Sequence, residues 1–187
     1  DTFGAMSVGY VPEFFGKFKK QLFSTIQFPV PNKYRIPKGL TLNDYQNDCL
    51  EKMEKRFSKN NNIAAFIMES GAQMAGGVII YPKDFQRKIS KLCKKYEILF
   101  VLDEIATGFG RLGSMVQYKE QKSIPDIVAY GKMLTGGYLT MAATLSSKKI
   151  YDSFSALQQS LDQKDEEIER LKKGYDLQII KKYIELI

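Results

Sequence analysis

The stretch that decides the architecture is residues 98–111, ILFVLDEIATGFGR. An uninterrupted apolar run from Ile98 to Leu102 is followed by Asp103, Glu104 and a glycine-rich turn. A short run of this kind predicts a strand that is buried on both faces of a sheet. Ligands of parallel sheets bind beyond the carboxyl ends of the strands, so the two carboxylates occupy a position where function is expected.

The surrounding sequence repeats this pattern of strand and helix. Further strands are predicted at Ile63–Met68, which also has a doubly buried pattern, at Ile127–Ala129 and at Met141–Leu145. Helices are predicted at Phe3–Val8, Asn43–Phe57 and Asp84–Tyr96, the last with Asp84 as its N-cap. Strands alternating with helices predict an α/β fold with a mostly parallel sheet flanked by helices.

Composition excludes several classes of function. The chain has 187 residues and a formal net charge of +7, but its lysines and arginines are spread along the sequence, and the densest group, at residues 87–95, is typical of a solvated helix face. We therefore predict no nucleic-acid partner, and no apolar run is long enough to span a membrane. The first residue, Asp1, is interpreted as a cut site or a fragment boundary.

The absence of histidine narrows the possible chemistry. Catalysis by Ser-His-Asp or Cys-His is excluded, and no metal site is predicted. Cys49 and Cys93 each lie in an amphipathic helical stretch, so buried free thiols in a reducing cytosol are favoured over a disulfide. Lysine, carboxylates, hydroxyl groups or a cofactor must carry any reaction.

A second motif is YGKMLTGGY, residues 130–138. Lys132 stands among small and apolar residues, where an amine loses its proton more easily and glycines let the backbone approach a ligand. The motif lacks the spacing of a phosphate-binding loop. By itself it fits a surface lysine on a turn equally well, just as Asp103 by itself fits a helix cap, a magnesium ligand or a base.

Together, the strings LDEIATGFGR and GKMLTGG resemble the class III (ω-type) aminotransferases, over about residues 1–154. The resemblance implies pyridoxal 5′-phosphate (PLP) as cofactor and the large domain of the fold type I transferases. It implies that Lys132 is the catalytic Schiff-base lysine and that Asp103 pairs with the pyridine nitrogen. Glu69 and Gln73 are implied as further cofactor-binding residues. Arg111 matches a motif position of less certain role, and Thr107 and Thr135 are interpreted as structural.

Within the family, residues 1–7, DTFGAMS, and 69–77, ESGAQMAGG, are similar to the branch that serves biotin synthesis. This implies transfer of an amino group from S-adenosylmethionine to the keto acceptor 8-amino-7-oxononanoate, giving 7,8-diaminononanoate, in a cytoplasmic homodimer. Ornithine or GABA aminotransferases are the alternative, although many of these carry Glu-Pro where this chain has Glu69-Ser70.

The chain is shorter than the family pattern. The phosphate-binding Gly-Ser loop, a ring-stacking aromatic residue and a carboxylate-binding arginine lie outside it, so we expect a partial domain with weak or no activity in isolation. A non-catalytic truncated or fused remnant, acting through its helical tail, is a further alternative.

Residues 155–187 form this predicted tail. Leu157, Leu161, Ile168, Leu171 and Tyr175 fit a heptad pattern that Lys164 interrupts. Either a coiled-coil segment or a simple amphipathic helix is consistent with this spacing. We therefore predict a division into residues 1–154, the cofactor-binding part, and residues 155–187.

Overall fold

The structure, a computed structural model, describes residues 2–59 and 62–184, with the side chains of the last helix described as far as Leu171. The strands are β1 (Ala65–Glu69), β2 (Ala72–Gln73), β3 (Ile79–Ile80), β4 (Leu99–Asp103), β5 (Ile127–Tyr130) and β6 (Ala143–Ser146). The α-helices are α1 (Phe3–Val8), α2 (Pro12–Phe15), α3 (Leu42–Phe57), α4 (Phe85–Lys95), α5 (Gln117–Glu120) and α6 (Lys148–Ile184). Short 3₁₀ helices cover Gly16–Gln21 and Lys132–Leu134.

The main sheet has the strand order β1-β4-β5-β6. β1 and β5 both pair with β4 in parallel, which requires each connection to cross over the sheet. Strands β2 and β3 form a separate antiparallel pair directly after β1. The α/β architecture and the helical C-terminal segment predicted from the sequence are therefore confirmed.

Helices α3 and α4 build the core on one face of this sheet. α3 begins with a capping box in which Thr41 and Asp44 satisfy each other's backbone amides. The two helices bury Cys49, Met53, Phe57, Phe85, Ile89 and Cys93 against Phe100 and Leu102 of β4. Both cysteines are free and buried, as predicted.

The prediction that β1 and β4 are buried on both faces is wrong for this chain. Phe100 and Leu102 of β4 are buried, but their neighbours in the strand are only partly buried. Ile67 of β1 is 43% exposed. β1 lies at the edge of the sheet, and α3 and α4 cover only one of the two faces. An apolar run identifies a strand but does not say how many of its faces are covered.

The predicted N-cap of α4 also needs correction. Asp84 occupies the N-cap position, but its backbone is left-handed and its side chain makes no capping hydrogen bond. Instead, Asp84 Oδ1 accepts a hydrogen bond from Arg87 Nε at 3.0 Å. The carboxylate is therefore used in a surface ion pair one turn into the helix.

By its internal contacts the chain divides into two units, Asp1–Leu145 and Ser146–Ile187. The second unit is essentially helix α6, which begins before the predicted tail, at Lys148. The functional division at residue 154 remains a prediction. In the part of the chain that the structure describes, no helix is both long and apolar enough to cross a membrane.

Candidate functional site

Three of the predicted site residues come to one edge of the main sheet. Glu69 and Asp103 are directly paired at the ends of β1 and β4, and Asp103 is in turn paired with Ala129 of β5. Lys132 follows β5 in the next turn of the chain. Parallel strands end at the same edge, so these residues share it. We call Glu69, Asp103 and Lys132 the strand-edge cluster.

The ionisation of Glu69 reflects this arrangement. Burial raises the pKa of the Glu69 carboxyl above its ordinary value. The amide of Met74, which donates to Oε2 at 2.8 Å, opposes this rise. The Asp103 carboxylate raises the pKa of Glu69 further and the Lys132 ammonium lowers it. Both charges therefore act on Glu69, after burial and the Met74 hydrogen bond.

Asp103 and its neighbour Glu104 have different roles although they are adjacent. Asp103 is partly exposed, and its Oδ1 accepts the amide of Ile105 at 2.7 Å in a local turn. Glu104 is fully buried and accepts the amides of Gln117 at 3.0 Å and Tyr118 at 2.5 Å. Glu104 thus holds the start of α5, and of these two neighbouring carboxylates only Asp103 remains available at the sheet edge.

Lys132 has an unusual backbone. Its φ of 42° lies in the left-handed region, which costs a residue with a side chain about 1–2 kcal/mol. Among the described residues, five others that are not glycine share this region, so the conformation supports a functional role only together with the position of Lys132 at the sheet edge. Just before it, Gly131 passes so near Ile105 that an added Cβ would lie 3.2 Å from Ile105 Cγ2. This close approach favours glycine and brings the loop carrying Lys132 against the segment that follows Asp103.

The Lys132 side chain itself is exposed. The enclosed, mostly apolar pocket expected for it from the sequence is therefore not formed by the described residues of this chain. What the chain supplies is the lysine on a constrained loop next to two carboxylates.

The remaining predicted residues make mainly local contacts. Gln73 lies in β2 with its side-chain amide against Gly76, where an added Cβ would come within 2.6 Å of Gln73 Cδ. Arg111 is exposed. The Thr135 hydroxyl donates to the Leu139 carbonyl at 2.7 Å. Thr107 is fully buried, and its hydroxyl has no hydrogen-bond partner among the described residues.

Sequence reasoning missed a buried polar cluster formed by Ser70, Gln86 and Ser123. Gln86 accepts the amide of Gly71 at 2.7 Å and donates to the hydroxyls of Ser70 at 3.0 Å and Ser123 at 2.9 Å. These bonds fix the turn that follows Glu69. One signal was present: Gln86 lies three residues before Ile89, on the apolar stripe of α4, where a polar residue must find buried partners.

Tyr81 was also missed. It is buried, and burial raises the pKa of its hydroxyl, with the Glu69 and Asp103 carboxylates adding to the rise. A neutral phenol therefore lies within electrostatic range of the strand-edge cluster. Tyr81 comes immediately after β3, an element too short for its sequence to indicate.

The family model described as Aminotransferase class-III matches residues 1–161. The chain belongs to this family. Two curated relatives named adenosylmethionine-8-amino-7-oxononanoate aminotransferase, from Staphylococcus aureus and Aquifex aeolicus, are 44% and 40% identical to it over 155 residues. Each comparison covers 82% of this chain and 34% of the relative, so this class III chain spans about a third of the length of these relatives.

Solved structures agree with this assignment. An (S)-enantioselective ω-transaminase from Thermomicrobium roseum matches with a TM-score of 0.74 and 30% identity, over 82% of this chain and 36% of that one. An ω-transaminase from Pseudomonas jessenii in complex with PMP matches with a TM-score of 0.80 and 30% identity, over 86% and 36%. The predicted family and its α/β fold are confirmed.

The family implies PLP as its cofactor, and the strand-edge cluster can be tested against that group. The cluster offers a carboxylate that can hold a proton on a ring nitrogen and a primary amine that can bond an aldehyde carbon. Asp103 keeps one carboxylate oxygen beyond the one bonded to Ile105, and Lys132 is accessible. The donor set therefore fits the reactive end of PLP. The roles of the individual residues remain predictions.

Proposed function

We propose that this chain carries the lysine and aspartate of a PLP-dependent aminotransferase site. The observation that supports this most directly is the strand-edge cluster, in which the sheet register pairs Glu69 with Asp103 and the constrained turn after β5 presents Lys132. Lys132 is the catalytic residue of the proposal. Asp103, Glu69 and Gln73 are proposed to contact the cofactor together with it.

Each residue has a defined task in this proposal. The Asp103 carboxylate would hold the ring nitrogen of PLP in its protonated form. The Lys132 amine would hold the cofactor at its aldehyde carbon, and its Nζ would carry the proton removed from the substrate α-carbon. When bound, PLP supplies an electron sink for the charge that this proton transfer leaves on the carbon. Glu69 places a carboxyl of raised pKa beside the same edge.

The names of the curated relatives support a specific substrate pair. We propose S-adenosylmethionine as the amino donor and 8-amino-7-oxononanoate as the acceptor, with 7,8-diaminononanoate as the product for biotin synthesis. As in the sequence-based prediction, the working assembly is proposed to be a homodimer in the cytosol. Other class III ω-amine substrates are less supported, because the relatives at up to 44% identity carry the adenosylmethionine name.

Covalent capture tests the role of Lys132 without requiring turnover. The chain is mixed with pyridoxal phosphate, reduced with borohydride and digested, and the modified lysines are quantified by mass spectrometry. We expect modification at Lys132 to exceed that at Lys38, an exposed lysine outside the cluster. We expect Asp103→Asn to reduce labelling at Lys132 and leave Lys38 unchanged. Equal labelling of the two lysines would overturn the proposal.

The donor is tested separately by comparing S-adenosylmethionine with glutamate at equal concentration, with 8-amino-7-oxononanoate as the acceptor. Because a chain of this length is predicted to be weakly active or inactive alone, the assay compares it with a relative of full length into which residues 1–161 have been transferred. We expect product only with S-adenosylmethionine. A preference for glutamate would favour another class III activity.

A further inference from the structure

Helix α6 carries an exposed apolar stripe that the proposed function does not use. Five apolar side chains along it are between 47% and 70% exposed: Phe154, Leu157, Leu161, Ile168 and Leu171. Apart from Lys164, which fills the position between Leu161 and Ile168, they recur at alternating steps of three and four residues. This is the spacing of the seam of a coiled coil. We call Phe154, Leu157, Leu161, Lys164, Ile168 and Leu171 the α6 seam.

Such a seam is typical of a helix that pairs with another helix. Single exposed apolar residues need no explanation, but a continuous stripe of them marks an interaction surface. As far as Leu171, the residues of α6 outside this seam are mostly polar, and Lys148 and Asp152 form an ion pair at 2.7 Å. A polar helix with one apolar stripe gains stability only when that stripe is covered.

We propose that the α6 seam binds the same seam of a second copy of this chain, with the two helices antiparallel. In this arrangement Phe154 packs opposite Leu171 of the second copy, Leu157 opposite Ile168 and Leu161 opposite Lys164. At both ends of the paired segment, the ring of Phe154 from one copy therefore packs against the aliphatic side chain of Leu171 from the other. The paired segments, residues 154–171, are about 27 Å long.

The charge distribution along α6 selects this orientation. Residues 165–169 are DEEIE, whereas residues 156–160 are ALQQS and carry no charge. In a parallel pair, Lys164 would face Lys164 of the second copy in the seam. Like charges in such positions are destabilising. The antiparallel pair places each acidic segment opposite the uncharged segment and packs the Lys164 stem on Leu161.

This inference is independent of the proposed aminotransferase activity. The match to the family ends at residue 161, so Lys164, Ile168 and Leu171 lie outside it. The self-association of α6 therefore stands or fails whether or not Lys132 binds a cofactor. It assigns an interaction surface that begins within the matched residues, at Phe154, and continues beyond them to Leu171.

Disulfide trapping in the full chain tests both the contact and its direction. Phe154→Cys and Leu171→Cys are prepared separately, mixed, oxidised mildly and analysed by digestion and mass spectrometry. The antiparallel seam predicts a link between residue 154 of one chain and residue 171 of the other, with at least tenfold less linkage in either variant alone. Within one helix these positions are about 25 Å apart, too far for a disulfide.

A matched pair of positions controls for random collision. Gln159 and Glu166 lie on the outward side of α6 at corresponding heights, so Gln159→Cys mixed with Glu166→Cys should not link above background. Links of 154 to 154 and 171 to 171 in the single variants would overturn the antiparallel orientation. Linkage of the seam pair no greater than that of the outward pair would overturn the self-association itself.

A charge substitution gives a second, independent measurement. In the antiparallel pair Gln158 flanks Asp165 of the second copy, so Gln158→Lys should tighten association about threefold and Gln158→Glu should weaken it by a similar factor. Sedimentation equilibrium of the full chain measures both. Because position 158 faces uncharged residues in a parallel pair, equal dissociation constants for the two variants would overturn the proposed orientation.

Discussion

Two groups of polar residues lie next to each other in this chain and differ in their exposure and in their hydrogen bonding. The strand-edge cluster has partly exposed charged groups, one of them on a left-handed backbone. The buried polar cluster and the neighbouring Glu104 have almost no exposure and several hydrogen bonds each. The second group makes the fold stable, and the first leaves its groups available for chemistry. Residues that are adjacent in the sequence, such as Asp103 and Glu104, therefore have different roles: Glu104 stabilises the fold, and Asp103 is available for chemistry.

The largest expected effect is the loss of stability in Glu104→Ala. Removing this carboxylate leaves the buried amides of Gln117 and Tyr118 without acceptors, so we expect the free energy of unfolding to fall by about 3 kcal/mol. The matched variant Asp103→Ala loses one partly exposed hydrogen bond and should cost about 1 kcal/mol or less. Urea unfolding measures both. Equal losses would remove the distinction between the two carboxylates.

A somewhat smaller effect is expected for Gln86→Leu. The substitution keeps an apolar stem on α4 but leaves Ser70, Ser123 and the Gly71 amide without their shared partner, at a cost of about 2 kcal/mol. Arg87→Leu, one residue away, removes a partly exposed ion pair and should cost at most about 1 kcal/mol. Thermal unfolding of both variants tests this. If Arg87→Leu is the more destabilising, the buried cluster is not structural.

A gain in stability is expected for Thr107→Val. The buried Thr107 hydroxyl has no partner among the described residues, so an isosteric methyl group should raise the free energy of unfolding by about 1 kcal/mol. The same substitution at Thr135 removes a hydroxyl that donates to the Leu139 carbonyl and should not stabilise. Chemical denaturation of both variants gives the comparison. Destabilisation by Thr107→Val would indicate a hidden partner for that hydroxyl.

The smallest expected effect is a change in the pH dependence of stability. Because the pKa of Glu69 is raised in the folded chain, its ionisation destabilises the fold as pH rises through that pKa. Glu69→Gln should therefore be slightly more stable than the parent at pH 7, and the difference should vanish below the ordinary glutamate pKa of about 4.3.

Asp44→Asn provides the opposite case for the same measurement. Hydrogen bonds from Thr41 lower the pKa of Asp44, so the stability it contributes is present at neutral pH and is lost as pH falls through that lowered pKa. Unfolding curves from pH 3 to 8 should show the two variants diverging from the parent in opposite directions. A stability deficit for Glu69→Gln at pH 7 would contradict the raised pKa.

The sequence predicted the elements that are long or strongly patterned. Helix α1 has the predicted bounds, α3 differs from prediction by one residue at its start, and α4 by one residue at each end. Strands β1, β4 and β5 differ by one or two residues at one or both ends. These elements bury apolar residues at regular spacing, and that spacing can be seen in the sequence. The placement of Glu69, Asp103 and Lys132 at one edge followed from the rule for parallel strands.

What the sequence did not predict depends on contacts between distant residues. The start of α5 is held by Glu104, thirteen positions earlier in the chain, and the turn after β1 is held by Gln86 on α4. The pair β2–β3 consists of two residues on each strand and has no periodicity to detect. The sequence also did not predict that α3 and α4 cover only one face of the main sheet, since coverage depends on which elements pack there.

The left-handed backbone of Lys132 also bears on mutational drift. Glycine and asparagine adopt that conformation more easily than lysine does, so a chain that no longer used the amine would gain stability by exchanging it. Neutral change at this position is therefore biased away from lysine. If close homologues of this chain retain lysine at this position, selection still acts on the amine. If they carry glycine or asparagine instead, selection no longer acts on it.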